Sequence, residues 1–136
     1  MSLIHLLCAD HPLPSYDSKV RRRYTQQVGR HCTYCEEDGF SVHPLQYYRA
    51  AVEDLGLSMK PFRYELDLRA TAQDAALLRD YLSQHCAAGQ QVELWRLWVG
   101  DVGVRAFRLA GRLADLGADT LAQLDEQEQT CITLTI

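Results

Sequence analysis

Hydrophobic and polar positions are most regularly ordered between Pro61 and Gly100. Phe62, Tyr64, Leu66 and Leu68 alternate with Arg63, Glu65, Asp67 and Arg69, the period of two shown by a strand with one buried face and one wet face. Thr71 then stands where a helix N-cap belongs, with Asp74 three residues on, and Ala75, Leu78, Leu82 and Cys86 fall along one face of the helix that follows. Gly89 ends it. From Val92 to Val99 only Glu93 and Arg96 interrupt an apolar run, as in a strand covered on both faces at the centre of its sheet. The two strands are expected to lie side by side with the helix closing over them.

The rest of the chain adds shorter elements. Leu3 to Cys8 reads as a strand that stops at Asp10-His11-Pro12-Leu13-Pro14. Between Ser15 and Gly39 the periodicity is poor. Val20, Tyr24 and Val28 fit a short helix, although Lys19, Arg21, Arg22 and Arg23 crowd its start, where the helix dipole disfavours cations. Pro44 suits a first helical position, and Leu45, Tyr48, Val52 and Leu55 form a stripe that leads to Gly56 as its C-terminal cap. Gly100-Asp101 fits a two-residue hairpin turn that would set Leu97 opposite Val104 and Trp95 opposite Ala106, while Arg105, Arg108 and Arg112 keep a helical spacing as the competing pattern. Asp119 to Leu124 reads as a short helical turn and Thr130 to Ile136 as a final strand. The charged face of the Phe62 strand calls for water on one side of the sheet. The expected fold is therefore an α+β two-layer sandwich, a mixed or antiparallel sheet with helices on one face, ferredoxin-like or related. At 136 residues one domain is expected over 1-136, with residues 15-39 as a long irregular excursion.

Composition narrows the function classes. A net charge of −4 argues against general, salt-driven nucleic-acid binding, and the basic group Lys19, Arg21, Arg22, Arg23 is offset by Glu36, Glu37 and Asp38. No apolar run approaches the roughly 20 residues a bilayer needs, and no leader pattern opens the chain, so a cytoplasmic protein is expected. Of five cysteines, Cys8, Cys86 and Cys131 sit in apolar runs and read as reduced core residues, while Cys32 and Cys35 stand apart. His31, Cys32 and Cys35 make half of a zinc site, with no second close pair downstream. The acidic run after Cys35 would raise its thiol pKa, against a redox role.

Asp10 and His11 place a carboxylate beside an imidazole at a strand end, the one candidate for a general base; GxSxG, HExxH and phosphate-loop motifs are missing from the sequence. Thr130 to Ile136 carries neither charge nor proline, so at a sheet edge it would invite pairing with another chain. These readings converge on a small cytoplasmic interaction or regulatory module that self-associates as a homodimer or binds another protein, with no cofactor and no catalysis of its own. A zinc-binding or thiol-dependent protein using Cys32 and Cys35 is the alternative, and an enzyme at the Asp10/His11 loop the third reading.

Overall fold

The computed structural model describes residues 2–136. Its strands are β1 (Ser2–Ala9), β2 (Tyr16–Asp17), β3 (Arg21–Val28), β4 (His31–Asp38), β5 (Ser41–Pro44), β6 (Phe62–Asp67), β7 (Gln91–Val99), β8 (Phe107–Arg112) and β9 (Thr130–Thr135). Its helices are α1 (Arg49–Asp54), α2 (Ala72–His85) and α3 (Ala118–Ala122), the last flanked by 3-10 turns at Leu113–Asp115 and Gln123–Asp125. Seven strands form one sheet in the order β2-β5-β6-β1-β7-β9-β8, and β3 pairs with β4 alone. All pairings are antiparallel except β8 with β9. No helix among the described residues is long and apolar enough to cross a membrane.

The Phe62 strand, the following helix and the Val92 strand form as their periodicities predict. Thr71 Oγ1 accepts the Asp74 N–H at 3.1 Å, the N-cap expected of that spacing, and α2 buries Ala75, Leu78, Tyr81 and Leu82. At its other end His11 Nε2 lies 3.0 Å from the His85 carbonyl, and Gly89 adopts φ +88°. The two strands are not neighbours. β1 lies between them, antiparallel to both, so β6, α2 and β7 form a split βαβ unit. Apolar residues at every position of Leu3 to Ala9 but His5 mark this central place, as the like pattern does in β7.

The two-layer expectation is corrected by the cover on the sheet. α2 and α3 close one face over Leu7, Leu66, Leu94 and Ile132, but α1 and the segment after it close the other over Ile4, Leu6, Trp95 and Leu97. Strands hold 42% of the residues and helices 23%, so the sheet dominates and is not capped on one side alone. The inference from the Phe62 strand failed because Arg63, Glu65 and Asp67 describe only a strand toward the side of the sheet. At the centre, Trp95 and Leu97 are fully buried on the same face. Cys8 and Cys131 are also buried there; burial raises both thiols, Cys131 to about 12.

Three other expectations change. The excursion of residues 15-39 is not irregular, since it contains β2, β3 and β4. The helix expected from Pro44 is confined to Arg49–Asp54, with Gly56 past its end at φ +65°. The hairpin after Val99 does not form: β8 is a strand, but it runs parallel to β9, with Leu109 opposite Ile132. β9 thus has partners on both sides, which explains its lack of charge and leaves β8 at the edge.

Candidate functional site

Residues 16–44 form one long hairpin in two parts. At its base Tyr16 stands opposite Val42 and Asp17 opposite Ser41; further out Arg21 stands opposite Asp38 and Val28 opposite His31. Three residues, Ser18 to Val20, therefore face only two, Gly39 and Phe40. This is a β-bulge, and bulges bend a ribbon and increase its twist. Lys19 takes φ +57° there, and Gly39 is obligatory, since a Cβ on it would run into the Val20 carbonyl oxygen. Beyond the bulge the hairpin leaves the large sheet, and eight residue pairs at roughly 3.3 Å each make an arm about 26 Å long. Gly29, at φ +62° in the first position of a two-residue turn, closes its tip.

One side chain fixes the arm to the body. Arg22 is 8% exposed and its guanidinium donates to Asp74 Oδ2 at 2.6 and 3.2 Å, to Asp67 Oδ1 at 2.9 Å and to the Asp38 carbonyl at 2.7 Å. It joins β3, the end of β4, the end of β6 and the first turn of α2. Burial alone would lower its pKa, but hydrogen bonds and charge from Asp74 and Asp67 outweigh that and raise it, so the group is a permanent cation. Asp74 is fully buried and also accepts the Arg69 N–H at 2.8 Å.

Past this root the arm is wet on both faces. Tyr24 and Val28, 46% and 62% exposed, lie on one side of the ribbon and Tyr34, 61% exposed, on the other, so apolar surface stands open on both sides. Arg21 pairs with Asp38 at 2.7 Å and Arg23 with Glu36 at 3.1 Å, whereas Arg30 at the tip has no carboxylate partner among the described residues. Residues 23–35 contain Arg23 and Arg30 and no carboxylate. Across the molecule, residues 113–128, which span α3 and its flanking turns, contain five carboxylates and no Lys or Arg.

His31, Cys32 and Cys35 all lie on β4. Cys32 faces Gln27 and Cys35 faces Tyr24, and an offset of three residues turns their sulfurs to opposite sides of the ribbon. His31 shares a side with Cys35 but stands about 13 Å along the strand from it. Among the described residues no group of three His, Cys, Asp or Glu side chains is placed to hold a metal ion. Asp10 and His11 are also drawn apart: Asp10 pairs with Lys60 at 2.6 Å, while His11 turns to the end of α2.

The residues that sequence reasoning missed are Arg22 and Asp74. Their signal was present: three cations at Arg21–Arg23 and three anions at Glu36–Asp38 lie symmetrically about the Gly29-Arg30 turn, as an antiparallel hairpin requires. No family model matches the chain, and no match is found among curated proteins or solved structures.

Proposed function

We propose that the protein is an interaction module that self-associates through the β3–β4 arm, each arm seating on the acidic 113–128 surface of a second copy. The observation that carries this reading is an arm fixed at its root by a buried Arg22 yet exposing Tyr24, Val28 and Tyr34 beyond it. A two-stranded ribbon is marginal on its own in water. Fixing its direction while leaving its aromatics bare suits a segment completed by a partner. Charge favours a second copy as that partner: Arg30 at the tip of the arm has no carboxylate partner among the described residues, and residues 113–128 hold five carboxylates and no Lys or Arg. Reciprocal exchange of two arms also closes a two-fold dimer and leaves no open end. Pairing through β9 is not part of this reading, because both edges of that strand are occupied.

Sedimentation velocity over a wide concentration series tests it. The expected result is a dimer that weakens with added salt, that is lost in Tyr24→Ser/Val28→Ser/Tyr34→Ser, and that is lost again in Asp119→Lys/Glu126→Lys/Glu128→Lys. Mixing the second variant with a chain carrying Arg23→Glu/Arg30→Glu should restore a heterodimer. A wild-type chain that stays monomeric throughout overturns the proposal, as does one whose arm instead retards nucleic acid in a gel without self-association.

A further inference from the structure

Pairing between β1 and β6 stops at His5 opposite Leu66, although β1 continues through Ile4 and Leu3 against β7. After Leu66 the other strand turns toward Thr71, the cap of α2. The two neighbours part, and the opening between them is a hollow of about 560 Å³. Small-ligand sites occupy about 300–1,000 Å³. Its lining comes from both faces of the sheet: Leu3, His5 and Leu68 with Leu124 on the α2 side, Ser41 and Glu65 on the other.

The charges around this slot are matched, with one exception. Asp67 accepts from Arg22 at 2.9 Å, Asp125 lies 3.0 Å from Arg96, and Arg69 lies 3.0 Å from Glu37. His43 and Ser41 bond each other at 3.0 Å. Glu65 and His5 have no hydrogen-bond or ion-pair partner among the described residues. Glu65 is only part exposed; burial raises its pKa, opposed by His43 across the β5–β6 pairing. Burial lowers that of His5. The Glu65 carboxylate is not taken up by any protein group among the described residues, so a ligand cation can replace water on it.

We propose that the slot is a binding site for a small organic amine, its ammonium group on Glu65 and its apolar tail passing between the strands against Leu3, Leu68 and Leu124. His5, at the far mouth, accepts a hydrogen bond from any donor the tail carries. The leucines supply apolar contact and the carboxylate supplies orientation, the division of labour usual in small-molecule sites.

Phenethylamine is a suitable probe and phenethyl alcohol its neutral counterpart. In methyl-resolved NMR titrations of the full chain, the amine should shift Leu3, Leu68 and Leu124 saturably. The alcohol should bind at least about tenfold more weakly, and Glu65→Gln should lose about the same factor for the amine, the worth of one charge-assisted hydrogen bond. Leu124→Trp, which fills the hollow without touching the carboxylate, should abolish the shifts, with the remaining spectrum reporting that the variant is folded. Equal binding of amine and alcohol, an unaffected Glu65→Gln chain, or no saturable shift at these methyls overturns the proposal.

Discussion

Replacing Arg22 by Met keeps the aliphatic stem in place and removes only the guanidinium. What remains is a fully buried Asp74 whose shortest bond, 2.6 Å, has gone, together with the loss of the bonds to Asp67 and the Asp38 carbonyl. Breaking a buried pair by removing one partner costs about 3–5 kcal/mol. Two features soften the loss here: Asp74 still accepts the Arg69 N–H, and it sits in the first turn of α2, where the helix dipole favours an anion. The half-exposed Asp67 adds little. An estimate at the low end, about 3 kcal/mol, follows, and for a domain of this length that lowers the melting temperature by about 10 °C.

Arg21→Met is the matched control, since it deletes the same charge one residue away from a side chain that is 48% exposed; its cost should stay below about 1 kcal/mol. Urea denaturation followed by circular dichroism gives both values, and hydrogen exchange of the arm amides shows whether the root has loosened. Arg22→Met/Asp74→Leu should recover much of the loss, because no unpaired charge is left inside. Equal destabilisation by Arg21→Met and Arg22→Met would refute the reasoning.

Other expectations are shorter to state. Gly39→Ala drives a methyl into the Val20 carbonyl and should cost about 1–3 kcal/mol and shift amide resonances throughout the bulge, whereas Lys19→Gly relieves a left-handed non-glycine residue and should leave stability unchanged or raise it. His5 is held below its ordinary pKa of 6.5, chiefly by burial, so the folded chain binds fewer protons than the unfolded one; the stability this gives is lost as pH falls below 6.5 through the folded value. His5→Gln should flatten that part of the stability curve. Glu65 has the opposite sign: its pKa is raised above 4.5, so stability present below 4.5 is lost as pH rises through the folded value. Glu65→Gln should therefore stabilise the chain at neutral pH and not in acid, as melting curves at the two pH values would show.

Elements that bury one face or both were legible in the sequence. Phe62 to Leu68, the helix capped by Thr71 and the run from Val92 to Val99 announce themselves because burial imposes a period on hydrophobicity. The arm is wet on both sides, and the same rule left no trace there. Val20, Tyr24 and Val28 are four apart, which suits one side of a helix but, being even, also one side of a strand; the charge symmetry about Gly29-Arg30 was the better guide. The partner of β8 could not be read locally, because a parallel ladder is not announced by a turn. Arg22 looked like its neighbours Arg21 and Arg23, since nothing in a run of three arginines says which one turns inward. The slot between β1 and β6 follows from where two strands part, a property of neither strand alone.

The central position of β1 has a consequence for biosynthesis. This strand is made well before its two flanking strands, Phe62–Asp67 and Gln91–Val99. At roughly 5–20 residues per second of translation, this mostly apolar strand waits on the order of several seconds before either is available. No early stretch of the nascent polypeptide can assemble the middle of the domain by itself, and the long-range closures that finish it make for slow, late folding. During that interval Leu3 to Ala9 is the segment from which chaperones and neighbouring ribosomes have most to fear or to gain.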